Sequence, residues 1–353
     1  MGRLHRVSVS SPGLSRVTRD GVPTYLDAGG QPVTDAATLA RVEALVLPPA
    51  WTDVWICPLA SGHLQAVGTD VAGRRQYRYH DQWRRQRDLS KHERVLEFGR
   101  VLPDVRAAVH QDLQSSALDR RRVLSCAVRL LDLGFFRIGS EQYATGRGAT
   151  PASYGLATMR KEHVTVSRTG TVTFDYTAKS GKHRVQSLVE PEVAAVVQAL
   201  KRRRSGGSEL LAYREGAGWV DVRSSDVNMH LRELSGGDFT AKDFRTWSAT
   251  VLAAVGLAVS TELPRSDSAR RRAVTRVVQE VAHYLGNTPA VCRASYIDPR
   301  VIDLYEGGVT VSDELRSLGQ GVTYGQPATQ GAVEAAVLRM LGGPQVASQR
   351  LAG

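Results

Sequence analysis

The hydrophobic and polar positions of the first 80 residues predict short β-strands separated by turn residues. Apolar and β-branched residues are concentrated in five short runs, at residues 15–18, 22–26, 54–59, 63–67 and 75–80. One helix interrupts these runs, because Asp35 can cap a segment in which Leu39, Val42 and Val46 recur at helical spacing. We therefore expect a small strand-rich N-terminal domain over residues 1–88.

The last of these strands carries an alternating pattern with two interpretations. Gln76, Arg78 and His80 share one face, and Tyr77 and Tyr79 share the other. Basic side chains interleaved with tyrosines suit a surface that meets phosphates and bases of DNA. The same alternation is equally typical of a half-buried strand whose tyrosines pack inward. The pattern alone leaves both interpretations open.

The pattern becomes helical beyond a highly charged stretch at residues 81–92, where we place a domain boundary. Helical spacing predicts helices at residues 93–113, 117–135, 191–201, 225–234, 240–257, 266–285, 299–304 and 331–341. Between them, residues 163–167, 171–177 and 183–188 predict a three-stranded meander with a tight hairpin at Ser180-Gly181. The fold class is therefore α+β, with a larger, mostly helical domain over residues 89–353 and a frayed tail after about residue 342.

The composition of the chain predicts a polyanionic binding partner. The chain has 353 residues, 42% of them hydrophobic, a net charge of +11 and an isoelectric point near 9.9. Only six of the 46 basic residues are lysines, so each lysine is a candidate for a specific role. The run Lys201-Arg-Arg-Arg204 is most simply interpreted as a solvated loop.

The sequence contains none of the usual motifs for disulfides, membrane spans, nucleotide binding or metal binding. The three cysteines are scattered and have neither disulfide nor metal-ligand spacing, which favours a reducing cytosol. No apolar run is as long as the core of a signal peptide or a membrane span. The segment Ala178–His183 lacks the leading glycine and the trailing Ser/Thr of a nucleotide-binding loop. We find no acidic or histidine cluster spaced for a metal. We therefore expect no nucleotide, no metal, no other cofactor and no membrane association.

Four segments place cationic or polar side chains beside apolar anchors. Arg137 follows the aromatic pair Phe135-Phe136, Lys179 lies at a hairpin tip, Arg245 lies beside a buried helical face, and Asn287 precedes Tyr296 by nine residues. Taken singly, each has a structural interpretation. The arginine after a helix can be a partner of the helix dipole, and the tyrosine can be a packed aromatic.

Together these segments resemble the type IB DNA topoisomerases, in particular the compact poxvirus-like and bacterial branch. The segments that carry the resemblance are Phe135–Gly139 with Tyr154–Val164, Ala178–Lys182, Thr240–Trp247, Asn287–Tyr296 and, upstream, Gly73–Tyr79. They occur in the family's order and cover most of residues 15–308. Two departures stand out: Asn287 replaces the histidine of the poxvirus enzymes, and Cys292-Arg293 replaces their Ser-Lys.

The resemblance implies ATP-independent relaxation of supercoiled DNA through a 3′-phosphotyrosyl intermediate. It implies Tyr296 as nucleophile and Lys179 as general acid, with Arg137, Arg245 and Asn287 stabilising the transition state. It also implies that the N-terminal domain clamps double-stranded DNA, and we expect a monomer in the cytoplasm, associated with the nucleoid. We further expect DNA contacts from Arg74, Arg75, Gln76, Tyr77, Tyr79, Lys182 and Lys242.

Two other functions remain as alternatives. A tyrosine recombinase uses a similar residue set, but its second arginine motif typically reads His-x-x-Arg, whereas this chain has Lys242-Asp-Phe-Arg245. A basic DNA-binding protein without catalysis would leave Tyr296 as a packed aromatic.

Overall fold

The computed structural model describes residues 3–19, 22–146, 151–260, 266–315 and 329–343. Its contacts divide the chain into two compact units, Met1–Glu93 and Arg94–Gly353. The boundary predicted from the sequence lay five residues earlier, after residue 88. The first unit is rich in strands and the second is mostly helical, so the predicted α+β fold class is confirmed.

The N-terminal unit is built on an antiparallel five-stranded sheet. Its strands are β1 (Leu14–Arg19), β2 (Val22–Leu26), β3 (Thr52–Ile56), β4 (Leu64–Thr69) and β5 (Arg75–Tyr79), in the order β2-β1-β3-β4-β5. Helix α1 (Ala36–Ala44) is capped by Asp35, whose side chain accepts from the Thr38 amide. Val42 on this helix is buried with Leu14, Val54, Ile56 and Ala66, and this cluster is the core of the unit.

The two tyrosines of β5 lie on an exposed face. Tyr77 is 50% exposed and Tyr79 is 37% exposed, and their rings stack with centroids 6.2 Å apart. The interpretation in which these tyrosines pack inward is therefore wrong. Asp70 fixes the preceding turn by accepting hydrogen bonds from the Arg74 backbone and from the Arg74 and Gln76 side chains. The Arg74 backbone hydrogen bond and these side-chain bonds lower the pKa of Asp70 to about 2, against the opposing effect of burial.

Helix α2 (Asp81–Leu113) begins twelve residues before the predicted start at residue 93. The charged stretch 81–92 was interpreted as a boundary segment, but it forms the first turns of this helix. Most residues of these turns are exposed, including Leu89 at 62%. A helix that is polar on all sides has no apolar stripe, so the hydrophobic pattern could not reveal it.

The C-terminal unit combines helices with a three-stranded antiparallel sheet. The strands β6 (Val164–Val166), β7 (Thr171–Ala178) and β8 (Lys182–Val189) pair in the order β6-β7-β8, and β9 (Ala212–Glu215) pairs with β10 (Gly218–Asp221). The helices are α3 (Arg120–Gly134), α4 (Glu141–Ala144), α5 (Pro191–Arg202), α6 (Ser224–Ser235), α7 (Ala241–Val259), α8 (Asp267–Leu285), α9 (Pro289–Ser295), α10 (Pro299–Glu306), α11 (Ser312–Leu315) and α12 (Ala332–Gly342).

Helix α7 lies at the centre of this unit. Phe244, Trp247 and Val251 are each at most 3% exposed, as the sequence predicted. The Trp247 indole donates to Glu334 on α12 at 2.8 Å, and Glu334 also pairs with Arg106, which binds Asp132 at 2.8 Å. These charges are buried but mutually paired, so α12 is fixed to the core that carries α7.

Further details differ from the predictions. The Lys201–Arg204 run is not a solvated loop, because Arg203 is buried and donates to the Leu200, Gly206, Glu209 and Leu210 carbonyls, while Lys201 donates to Lys161 O. The β9–β10 hairpin and the short helix α9 were not predicted. The tail predicted to fray lies almost entirely outside the described residues. Within the described ranges, no helix combines the length and apolar character needed to cross a bilayer.

Candidate active site

The end of helix α8 brings together three arginines from three different parts of the chain. Gly286 ends the helix in the left-handed region at φ 64°. The backbone N–H of Asn287 donates back to Ala282 O at 2.9 Å. The carbonyls of this last turn accept hydrogen bonds from Arg184 to Tyr284 (2.8 Å), from Arg245 to Leu285 (2.9 Å) and from Arg137 to Gly286 (3.2 Å). The carbonyl end of a helix dipole favours cations, so these like charges can converge there although no carboxylate of the described residues pairs with them.

Arg137 is placed by a sharp turn after helix α3. Phe135 follows the helix in the left-handed conformation at φ 53°, which a bulky residue rarely adopts. In that conformation its carbonyl accepts a hydrogen bond from Arg245. The Arg137 carbonyl accepts from the Leu156 amide at 2.8 Å, and Gly155 packs directly on Gly139 with no room for a Cβ. The segment that carries Arg137 is therefore held on both sides by backbone contacts.

Arg245 contacts the ring of Tyr296, the candidate nucleophile. Arg245 is 4% exposed, and its guanidinium carbon lies 5.1 Å from the centre of the half-buried Tyr296 ring. Burial alone would raise the pKa of Tyr296, but the adjacent charge of Arg245 and the smaller influences of Arg137 and Lys242 lower the pKa below its ordinary value. Burial, with the nearby charge of Arg137, lowers the pKa of Arg245 to about 10, so Arg245 remains charged at neutral pH.

Tyr296 lies at the C-terminal end of helix α9, a helix that the sequence did not predict. Thr288 caps the start of α9 by accepting from the Val291 amide, and the Tyr296 amide donates to Cys292 O at 3.0 Å. Thr250 on α7 accepts from the Asp298 amide at 3.2 Å, and its own hydroxyl proton is shared between Thr246 O at 2.9 Å and Tyr296 O at 3.3 Å. The tyrosine backbone is therefore attached to the same helix that carries Arg245.

Two donor groups at the site have no partner among the described residues. Asn287 accepts from Arg137 through its carbonyl oxygen, so its amide nitrogen Nδ2 is left buried and unpaired. The Nε of Arg245 is also buried and unpaired. Buried donors are rarely left unsatisfied, and two of them beside clustered guanidiniums indicate a binding site for an anion with several oxygens.

Lys179 lies next to these groups at the tip of the β7–β8 hairpin. It opens a single 3₁₀ turn, Lys179–Gly181, in which Ser180 is left-handed at φ 65°. A shallow surface recess is lined by Lys179 and Lys182 together with Arg137, Arg184 and Arg245. None of the described residues that line it is acidic. The structure therefore brings Arg137, Lys179, Arg245, Asn287 and Tyr296 to one region, and this region is strongly cationic.

Arg184 and Tyr176 also line this recess, and sequence reasoning gave neither of them a role. Burial raises the pKa of Tyr176, although the charges of Arg184 and Arg245 oppose the effect, and its hydroxyl donates to Gln186 Oε1 at 3.2 Å. Of these two phenols, only that of Tyr296 has a lowered pKa. Arg184 binds a backbone carbonyl, which no sequence motif records.

The predicted DNA-contact residues are divided between the two units. Arg74, Arg75, Gln76, Tyr77 and Tyr79 lie on or beside β5 in the N-terminal unit. Lys182 lines the recess, and Lys242 is exposed in the first turn of α7. No group of three or more His, Cys, Asp or Glu side chains suited to a metal occurs in the part of the chain that the structure describes.

Comparison with known proteins places the chain among DNA topoisomerases. The family model described as "Eukaryotic DNA topoisomerase I, catalytic core" matches residues 80–310, and "Bacterial DNA topoisomerase IB, N-terminal domain" matches residues 24–70. A "DNA topoisomerase 1B" from Acanthamoeba polyphaga mimivirus is 27% identical over 282 residues, which cover 76% of this chain and 80% of the viral protein.

Two fungal proteins are similar over a shorter region. The "DNA topoisomerase 1" of Schizosaccharomyces pombe is 29% identical over 168 residues, and that of Candidozyma auris is 26% identical over 165 residues. These matches cover 47% and 46% of this chain but only 19% and 20% of the fungal proteins. The likeness to them therefore concerns part of their length.

Proposed function

Because this chain belongs to the type IB DNA topoisomerase family, we propose that it relaxes supercoiled DNA by cutting and rejoining one strand through Tyr296. The observation that carries the proposal is the contact between Arg245 and the Tyr296 ring. Arg245 also binds the last turn of α8, and Arg137 and Asn287 meet at the same turn. Lys179 lines the adjoining recess.

The proposed reaction exchanges one phosphodiester for another. The Tyr296 phenolic oxygen attacks the DNA phosphorus and gives up its proton to solvent water, forming a phosphotyrosyl bond to the 3′ end. The bond from phosphorus to the 5′ oxygen breaks, and Lys179 supplies a proton to that oxygen. The free 5′ strand then rotates, and the reverse steps rejoin the backbone. Because the bonds broken and formed are of the same kind, the exchange needs no ATP.

The arginines are suited to stabilise the charge of the transition state. Their forked guanidiniums bind two non-bridging phosphate oxygens, and they remain protonated throughout. The unpaired Nδ2 of Asn287 and Nε of Arg245 supply two further donors that are already in place. Their preorganisation supports the assignment, because donors that need no rearrangement stabilise charge most effectively.

Lysine is a reasonable general acid in this setting. Its ammonium can lose a proton when neighbouring cations disfavour its charge, which a guanidinium effectively cannot do. Lys179 lines the same recess as Arg137 and Arg245, which places its ammonium at the site. General acid catalysis of this kind contributes on the order of 10²- to 10⁴-fold.

We propose double-stranded DNA as the partner, bound by a monomer in the cytoplasm, where it is associated with the nucleoid. The net charge of +11 supports binding to a polyanion. In the N-terminal unit, the exposed stacked pair Tyr77 and Tyr79 supports a DNA-facing role for β5. Their rings are accessible, and aromatic and basic groups on one strand can contact bases and phosphates together.

A plasmid relaxation assay without ATP or added metal tests the proposal. The proposed enzyme relaxes both positive and negative supercoils. A tyrosine recombinase would instead require paired sites, and a binding protein would leave the topology unchanged. Trapping the covalent adduct on a short duplex and mapping the attached peptide by mass spectrometry should identify Tyr296. An adduct on another residue would contradict the assignment.

A further inference from the structure

Arg184 links the lysine hairpin to the end of helix α8. It lies on β8, five residues after Lys179, and its Nη2 donates to the Tyr284 carbonyl at 2.8 Å. A Cβ on Gly286 would lie 2.1 Å from its Nη1, so the guanidinium packs directly against the helix cap. The same turn of α8 accepts Arg137 and Arg245.

The other contacts of the hairpin hold its base, where Thr177 O accepts from the Tyr154 amide at 2.8 Å and His183 pairs with Asp175. The Lys179 and Lys182 side chains are exposed and have no hydrogen bond or ion pair with other residues in the described ranges. Ala178 and Lys182 form the last pair of the β7–β8 ladder, and Arg184 lies two residues behind that pair, opposite Tyr176. Arg184 is therefore well placed to fix where the tip lies relative to the arginine cluster.

We propose that Arg184 is a positioning residue that holds the Lys179 hairpin against the end of α8, so that the Lys179 ammonium reaches the leaving 5′ oxygen. The inference rests on the proposed function. Arg184 acts here through Lys179, and misplacing an acid by about 1 Å costs on the order of 10²-fold in rate. Its loss should therefore affect proton delivery more than phosphate binding.

The test compares two duplexes that differ in one atom at the scissile phosphate, a bridging 5′ oxygen or a bridging 5′ sulfur. A thiol has a pKa of about 8.5, so the sulfur departs without an acid. We expect Arg184→Ala to cleave the oxygen duplex on the order of 10² more slowly in single-turnover reactions. It should cleave the sulfur duplex close to the wild-type rate. Arg184→Lys, which retains a donor, should recover part of the loss.

Two controls complete the design. Adding Arg184→Ala to Lys179→Ala should cause no further slowing, because both changes remove the same step. Arg168→Ala, which removes an exposed arginine at the opposite end of the sheet, should change neither rate. If Arg184→Ala lowers the urea midpoint of unfolding, the same two-substrate comparison is made with Arg184→Lys.

Equal slowing on both substrates would overturn the proposal, because it would place Arg184 on the phosphate or in the stability of the fold. An unchanged rate on the oxygen duplex would overturn it as well. Failure of the wild-type protein to form an adduct with either duplex would instead refute the proposed function itself. The two failures are therefore distinguishable.

Discussion

The guanidinium of Arg245 lies over the ring of Tyr296, with its central carbon 5.1 Å from the ring centre. The contact lowers the pKa of the phenol despite its partial burial. It also places a cation against a ring that otherwise packs on the hydrophobic core. This cation is what a simply packed aromatic would lack, and the first predictions below depend on it.

Removing the Tyr296 hydroxyl should abolish covalent chemistry and leave DNA binding intact. We expect Tyr296→Phe to form no adduct on a denaturing gel, because no other oxygen takes its place, while the Kd for duplex DNA stays close to wild type. Tyr284→Phe is a matched control, since this tyrosine is 54% exposed and its ring lies near Phe135. Adduct formation by Tyr296→Phe would refute the nucleophile assignment.

The cleavage rate should depend on pH through the Tyr296 phenol. With a lowered pKa, the rate should rise with pH and level off below pH 10, the ordinary pKa of tyrosine. Arg245→Gln removes the largest lowering influence and leaves the burial that raises the pKa, so the inflection should move upward. The same change should slow cleavage on the order of 10²- to 10³-fold.

Single-turnover cleavage across pH, with enzyme in excess over the duplex, measures this shift. Lys242→Gln is the graded comparison, because the charge of Lys242 is the smallest of the influences that lower the pKa of Tyr296. It should move the inflection upward by less than Arg245→Gln does. An inflection that Arg245→Gln leaves unchanged would exclude the phenol as the titrating group.

Lys179 should matter only when the leaving group needs a proton. We expect Lys179→Ala to slow cleavage of an ordinary duplex on the order of 10²- to 10⁴-fold. A substrate with a 5′ sulfur should restore most of the rate. Lys182→Ala is the comparison, since Lys182 lines the same recess. If rescue occurs with Lys182→Ala and not with Lys179→Ala, the acid role belongs to Lys182.

Gly286 should be required both for its conformation and for its contact with Arg184. Gly286→Ala forces a side chain into the left-handed region at a cost of about 1–2 kcal/mol, and the new Cβ would also collide with Arg184. Gly236→Ala separates the two effects, because Gly236 ends α6 at φ 65° with nothing within 4 Å of a new Cβ. Urea unfolding should show a larger loss for Gly286→Ala, and cleavage should fall for that variant alone.

Substitutions on the exposed face of β5 should separate electrostatic from aromatic contributions to DNA binding. Arg74 is paired with Asp70 at 2.9 Å, whereas Arg75 has no ion pair among the described residues. We therefore expect Arg75→Gln to weaken binding more than Arg74→Gln and to reduce the salt dependence. Tyr77→Ala should lower the affinity without changing the salt dependence, and Val71→Ala, at 89% exposure, should have no effect. Titrations of a labelled duplex at several salt concentrations measure both quantities.

The positions of several candidate residues could be predicted because the apolar residues beside them follow local patterns, whereas the proposed roles came from the family resemblance. Arg245 follows directly from the spacing of Phe244, Trp247 and Val251, which identifies the buried face of α7. The Leu-Gly-Asn sequence at residues 285–287 marks the helix cap that places Asn287. Polar residues next to such anchors can be located from the chain alone.

Other features depend on partners that the sequence does not show. Arg184 donates to a carbonyl 100 residues away, and Arg203 donates to four carbonyls in its own neighbourhood. Every residue has a backbone carbonyl, so the residue types do not reveal which carbonyls accept a hydrogen bond. In the sequence, an arginine that binds such carbonyls therefore looks the same as one exposed to solvent. The first turns of α2 were missed for a different reason, because a helix without an apolar face has no period to detect.

The Thr250 hydroxyl bridges the Tyr296 carbonyl and the Asp298 amide, on the same helix that carries Arg245. In the proposed mechanism, the rotating strand would pull on the DNA end that Tyr296 holds. Because the backbone of Tyr296 is tied to the helix that carries Arg245, we expect the nucleophile segment and this helix to share such a pull. The tyrosine and the guanidinium beside it would then stay together until the broken ends are rejoined.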